Sequence, residues 1–183
     1  MLSWEKEKLQ LRTGYLSVLS LVMTMTAGAG SAVSTSDIQV PLFTIERSVN
    51  GNVVHYDARL KDGKLDPQQP VVAYWVMGRD GHHQELNFLE KLKAYGFSIF
   101  PDKQPEVFRM TLVSDKKKEI RVIHSGTEVR AEAQIGRCSA HLQKIFIESK
   151  KSWIVSLPEY AEMIGSDIQT GAECRERVTP GDR

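Results

Sequence analysis

Residues 127–135, TEVRAEAQI, constrain the fold more than any other stretch of the chain. Val129, Ala131, Ala133 and Ile135 recur at every second position, with Glu128, Arg130, Glu132 and Gln134 between them. Side chains alternate across a strand, so this pattern describes one apolar and one wetted face. A helix would scatter both sets around its circumference. The same period recurs in 41–47 (PLFTIER), 53–60 (VVHYDARL), 106–114 (EVFRMTLVS), 119–124 (EIRVIH) and 139–148 (SAHLQKIFIE). Asn50-Gly51 between the first two of these favours the positive φ of a tight hairpin. Residues 70–77 (PVVAYWVM) are apolar on both faces, as a strand covered on both sides requires. Residues 97–100 and 152–157 read as further short strands.

One helix interrupts the pattern. In 84–95 (QELNFLEKLKAY), Phe88, Leu89, Leu92 and Tyr95 recur at helical spacing, and Gly96 supplies the stop. The expected fold is therefore mainly β, of the α+β class: an antiparallel meander of about eight or nine strands forming a barrel or sandwich, with helix 84–95 packed on it.

The ends read differently. Lys6, Lys8 and Arg12 precede an apolar run from Tyr15 to Thr26, and small residues follow from Ala27 to Ala32. That order predicts a signal peptide over residues 1–32, cleaved after Ala32, and an exported product, periplasmic or secreted. The apolar run falls short of the ~20 residues of a membrane span. An uncleaved anchor or an amphipathic arm is the alternative. Residues 33–40 then form a tether, 41–157 the β-rich domain, and 158–183 a short helix after Pro158 (159–164) with a polar tail.

The chain carries 24 Lys and Arg against 23 Asp and Glu, and removal of residues 1–32 leaves the two equal. A balanced charge is no footprint for nucleic acid or for an anionic membrane surface. Lys116-Lys117-Lys118, the one dense basic run, lies between two strand segments and reads as a solvated hairpin tip. In an oxidising compartment Cys138 and Cys174 are expected to form one disulfide.

Candidate chemistry is sparse. His55, Asp57 and Arg59 share one strand face, opposite Val54, Tyr56, Ala58 and Leu60. A His–Asp pair two apart could orient an imidazole for acid–base work, with Arg59 steering an anion. The competing reading is a solvated face with charge pairs to Glu46 or Arg47. The loop Lys61–Pro67 fails the calcium-loop spacing, because Gly63 at the sixth position puts Ala58 and Leu60 where oxygen ligands are needed. His82 and His83 point oppositely on extended backbone, so no metal is expected there, and no cofactor is implied elsewhere.

A second enzyme reading joins His124 to Cys138 through the Gly136-Arg137 turn. This is similar to the exported L,D-transpeptidases, but 135–138 reads Ile-Gly-Arg-Cys and lacks the Ser, the second His and the Gly before Cys. The favoured reading is a non-enzymatic binder of a small apolar or amphipathic ligand, or of an envelope protein partner, with a hydrolase or transferase as the alternative. A ligand would lie beside Trp75 and Phe108 with Tyr56 and Met110, and meet polar groups from Arg59, Asn87 and Tyr95.

Phe43–Ser48 (FTIERS), Asn50-x-Asn52, Tyr56-Asp57, Leu60–Pro67 (LKDGKLDP), Tyr74-Trp75, Glu85-Leu86-Asn87 and Ala94-Tyr95-Gly96 together carry a resemblance. Over Pro41 to about Lys151 the chain resembles an exported bacterial family catalogued as domain of unknown function 4833. The resemblance implies no activity. It places the His55–Trp75 stretch in the family's defining core.

Overall fold

The computed structural model describes residues 37–150 and 157–179. Of these, 66% are strand and 4% helix. The signal peptide and the first part of the tether lie outside the described residues, as does most of the strand expected over 152–157.

The chain opens with the hairpin β1 (Ile38–Arg47) and β2 (Val53–Lys61), then the short β3 (Lys64–Leu65), β4 (Val71–Val76) and β5 (His83–Glu85). Asp62 and Gly63, both at positive φ, form the two-residue turn that joins β2 to β3. Helix α1 (Phe88–Lys93) follows, then the meander β6 (Phe97–Pro101), β7 (Val107–Leu112), β8 (Asp115–Ser125) and β9 (Glu128–Ile135). The long β10 (Cys138–Lys150), β11 (Leu157–Asp167) and β12 (Glu173–Val178) close the fold.

β10 organises the rest. Its residues 138–141 pair antiparallel with β9, and its residues 144–147 pair parallel with β1. β11 pairs with β10 from Ala140 to Lys150, across the junction of the two stretches, so it occupies one edge and leaves β9 and β1 to follow each other along the other. Two half-sheets, β5-β4-β2-β1 and β6-β7-β8-β9, therefore spring from one edge of a single strand. The nine strands curl into a half-barrel, the barrel-like outcome of the two expected. Sheet twist alone drives such curling, and the register shift between Leu142 and Lys144 adds to it where the two half-sheets part.

The core lies inside the curl. Tyr56, Val54, Met110, Val122 and Ala140 are wholly buried, with Ile45, Ile120 and Ile135 nearly so. The inward residues of 127–135 are those the alternation names: Val129, Ala131, Ala133 and Ile135 are all buried. Tyr56 stacks on Phe43 with ring centroids 4.5 Å apart, and its hydroxyl donates 2.6 Å to the Tyr95 carbonyl. Burying this phenol is tolerable because its one donor is satisfied.

Two expectations are corrected. Helix 84–95 shrinks to Phe88–Lys93, because His83, Gln84 and Glu85 pair with Val76, Trp75 and Tyr74 as an edge strand. Asn87 then starts the helix with a reciprocal capping box: its side chain accepts from the Glu90 N–H, and the Glu90 carboxylate accepts from the Asn87 N–H. At the other end Gly96 passes so close to Lys91 that a Cβ would stand 1.7 Å from the Lys91 carbonyl oxygen. No residue of the helix is buried, and Phe88, Leu89 and Leu92 point into solvent. It is held instead by its flanks, Leu86 and Tyr95, which are buried.

Residues 157–167 form β11 in place of the short helix after Pro158, and β12 replaces the polar tail. The reason is tertiary. The free edge of β10 offers a template of ten residue pairs, and pairing there outweighs the helical propensity of Glu159–Met163. Pro158, near the start of the strand, costs little. The β-rich domain thus extends to Val178.

Candidate functional site

Where β1 and the β7–β8 hairpin face each other across the curl, the interior does not fill. The walls are Ile45 from β1, Ile145 and Ile147 from β10, Leu112 and Ile120 from β7 and β8, and Tyr95 after α1. Ala161, Met163 and Val178 complete them from β11 and β12. Sheet register explains the floor. Arg47, Ile147, Ala161 and Val178 stand in one row of neighbours across four strands, with Ile45, Ile145 and Met163 in the next row. The cavity holds about 320 Å³. That is within the usual span of small-molecule sites, ~300–1,000 Å³, and its walls have the apolar character such sites share.

Three cations, Arg47, Lys93 and Lys118, and one acid, Asp115, stand at its rim. Arg47 sits at the end of the inward series Phe43, Ile45, Arg47, so a guanidinium occupies an apolar face. Its Nη1 donates to the Tyr95 hydroxyl at 3.3 Å, and among the described residues it meets no carboxylate. Burial raises the Tyr95 phenol above its ordinary value even though Arg47 opposes the shift. Lys93, at the end of α1, also lines the cavity without an ion-pair partner among the described residues. Lys118 differs: it donates to Glu176 at 2.6 Å and to the Gln134 carbonyl at 3.0 Å. Burial would raise the Glu176 carboxyl, but Lys118 and the Gly136 N–H outweigh it and hold the group below its usual range. An apolar chamber with a guanidinium at its edge that meets no carboxylate among the described residues can take an apolar body and an anionic head.

The His55–Asp57–Arg59 face is organised otherwise. Asp57 is buried on β2, and its Oδ2 accepts a 2.6 Å hydrogen bond from the Tyr74 hydroxyl of β4. Its Oδ1 is buried with no hydrogen-bond partner among the described residues. Burial first, then the Asp57 carboxylate, push the Tyr74 phenol up to about 12. His55 stacks on Tyr74 at 5.7 Å between ring centroids, and Tyr74 on His83 at 4.8 Å. Imidazole and carboxylate thus both meet Tyr74, the first at its ring face and the second at its hydroxyl. Arg59 turns toward solvent, with Asp37 at 2.6 Å, Asp66 at 3.7 Å and Gln69 at 2.8 Å. The expected pairing of this face with Glu46 or Arg47 is absent: Glu46 pairs with Lys144 at 3.3 Å, and Arg47 faces the cavity.

The thiol constellation is not assembled. Cys138 and Cys174 are joined in a disulfide with Cα atoms 6.3 Å apart, as expected, and neither sulfur is free. The His124 Nδ1 lies 3.0 Å from a Glu106 oxygen that also accepts the Leu65 N–H at 3.1 Å. Burial would raise the Glu106 carboxyl, yet His124, the Leu65 N–H and the nearby Lys64 hold it below its ordinary value. Among the described residues Cys138, Asp167 and Cys174 are the one group close enough to share a metal, and the disulfide occupies both sulfurs.

Of the expected ligand-binding residues, Tyr95 alone lines the cavity. Met110 and Tyr56 are core, Trp75 is core against Tyr95 with ring centroids 5.0 Å apart, and Phe108 is partly buried on β7. Asn87 is the helix cap. Every other lining residue was missed by sequence reasoning, among them Ile45, Ile145, Ala161, Met163 and Arg47. Only Arg47 left a local signal, a charge placed on an apolar strand face.

Fold and site together define a β half-barrel with an apolar chamber between its two halves. The chain belongs to the family described as Domain of unknown function (DUF4833), which it matches over residues 43–177. No curated protein and no solved structure matches it.

Proposed function

We propose that the protein is an exported, non-enzymatic binder of a small amphipathic ligand, whose apolar body fills the half-barrel cavity and whose anionic head meets Arg47. The observation that carries this reading is a guanidinium that meets the Tyr95 hydroxyl but no carboxylate among the described residues, at the edge of an apolar chamber of about 320 Å³. A chamber of that size suits a single medium-length acyl chain. Export is supported by the Cys138–Cys174 disulfide, which belongs to oxidising compartments. Among the described residues no helix is long and apolar enough to cross a membrane.

The test is a titration with a fluorescent medium-chain fatty acid, followed by competition with decanoate and with decylamine. Decanoate should compete better than the amine. Arg47→Gln should weaken decanoate by roughly tenfold, the equivalent of one charge-assisted hydrogen bond. Ala161→Trp, which fills the floor, should abolish binding while circular dichroism stays native. Absence of binding, or binding that Ala161→Trp leaves unchanged, refutes the reading.

A further inference from the structure

Helix α1 carries three large apolar side chains that the fold leaves uncovered: Phe88 is 75% exposed, Leu89 61% and Leu92 56%. At ~100° per residue, Phe88, Leu92 and Leu89 fall within one arc of the helix. Lys91 and Lys93 bracket that arc on its two sides, and Glu90 lies opposite. Neither lysine meets a carboxylate among the described residues, and the Glu90 carboxylate is engaged by the helix cap. The buried flanks Leu86 and Tyr95 fix the helix to the body, so its apolar arc projects as a rigid unit. Its C-terminal end, Lys93 to Tyr95, also forms part of the cavity rim.

We propose that α1 is a membrane-docking element that seats on a lipid bilayer bearing anionic headgroups and brings the cavity mouth to that surface. An apolar arc between two lysines is the arrangement that interfacial helices present to a bilayer. The rings and aliphatic tips enter the acyl boundary while the ammonium groups remain among the headgroups. The balanced charge of the whole chain does not oppose this, because headgroup attraction acts over about a Debye length and is set by the local charges: Lys91 and Lys93 flank the arc, Glu90 lies on the far side of the helix, and Arg47 and Asp115 stand at the rim beyond. A protein partner would also cover an apolar arc, but flanking ammonium groups that meet no carboxylate among the described residues fit a headgroup layer better. The docking itself stands apart from the ligand reading. Only the link between docking and ligand uptake rests on it.

Hydrogen–deuterium exchange on the full chain, with and without phosphatidylglycerol vesicles, tests the proposal. Because exchange is resolved by peptide, other apolar segments do not enter the readout for 86–96. Anionic vesicles should slow exchange in 86–96 severalfold, and phosphatidylcholine vesicles should do so less. Phe88→Ser/Leu89→Ser/Leu92→Ser should remove that protection, with unchanged thermal unfolding and fatty-acid affinity within twofold of the parent. Lys91→Glu/Lys93→Glu should weaken docking on anionic vesicles by roughly tenfold or more, at about 1 kcal/mol for each basic residue lost. Unchanged exchange in 86–96 in the presence of vesicles overturns the proposal. So does protection of 86–96 that rises with protein concentration alone, which would make the arc a self-association face. Vesicle protection without fatty-acid binding would leave the docking standing and remove the ligand reading.

Discussion

Removal of the Cys138–Cys174 bridge is the perturbation whose size the structure fixes most directly. The bridge closes a loop of 36 residues that contains β10 and β11. The chain-entropy relation assigns a loop of that length about 4 kcal/mol of stabilisation at 25 °C. Those two strands join both half-sheets to the C-terminal hairpin, so the released entropy bears on the whole domain and not on one frayed end. Cys138→Ala/Cys174→Ala should therefore lower stability by about 4 kcal/mol, and the melting temperature by roughly 8–16 °C for a domain of this size. Urea titration followed by tryptophan fluorescence and by circular dichroism would measure it. The midpoint should fall with the slope unchanged and the two probes coincident. A loss below about 1 kcal/mol would refute the reasoning. So would a loss confined to faster exchange in 173–178, because the bridge would then hold only an edge strand.

Other consequences are sharp enough to measure. Tyr74→Phe leaves the buried Asp57 carboxylate without its hydrogen bond and should destabilise by about 1–3 kcal/mol in the same titration. Gly96→Ala drives a Cβ into the Lys91 carbonyl and should cost more than about 2 kcal/mol, with loss of exchange protection at the α1 flanks. Stability should fall below about pH 5: Asp66, Glu106, Asp167 and Glu176 have lowered pKa values when folded, so the unfolded chain binds more protons there. It should fall again above about pH 10, because burial raises Tyr56, Tyr74 and Tyr95 and the unfolded phenols ionise first. A pH series of thermal melts checks both flanks.

The parts of the fold legible in the sequence are those that local alternation specifies. In 127–135 and 53–60 one face had to be buried, and it is. β11 was not legible, because Glu159–Met163 reads as helix until the open edge of β10 is known to lie beside it. Helix 84–95 failed at its start for a related reason: Gln84 and Glu85 take their conformation from Trp75 and Tyr74 on another strand. The site shows the same division. Arg47 could be placed on the Phe43–Ile45 face by counting, but the chamber exists only because Ile45 meets Ile145, 100 positions away in sequence. Likewise, alternation groups His55 with Asp57, whereas the burial of Asp57 under Tyr74 depends on the register of β2 with β4.

The forked edge of β10 also dictates an order of assembly. Each half-sheet is a local meander whose hairpins can form from neighbouring segments with little loop-closure cost. β1 and β9 nevertheless keep an open edge until β10 exists to cap both, and the parallel Thr44–Lys144 contact spans 100 residues. Long-range parallel pairing is slow because closure entropy must be overcome before any contact compensates for it. Topology therefore predicts a late committing event in folding, the docking of β10, which mutations in β10 that slow refolding would reveal. A chain truncated before that strand retains two unsealed strand edges, each a template for intermolecular pairing.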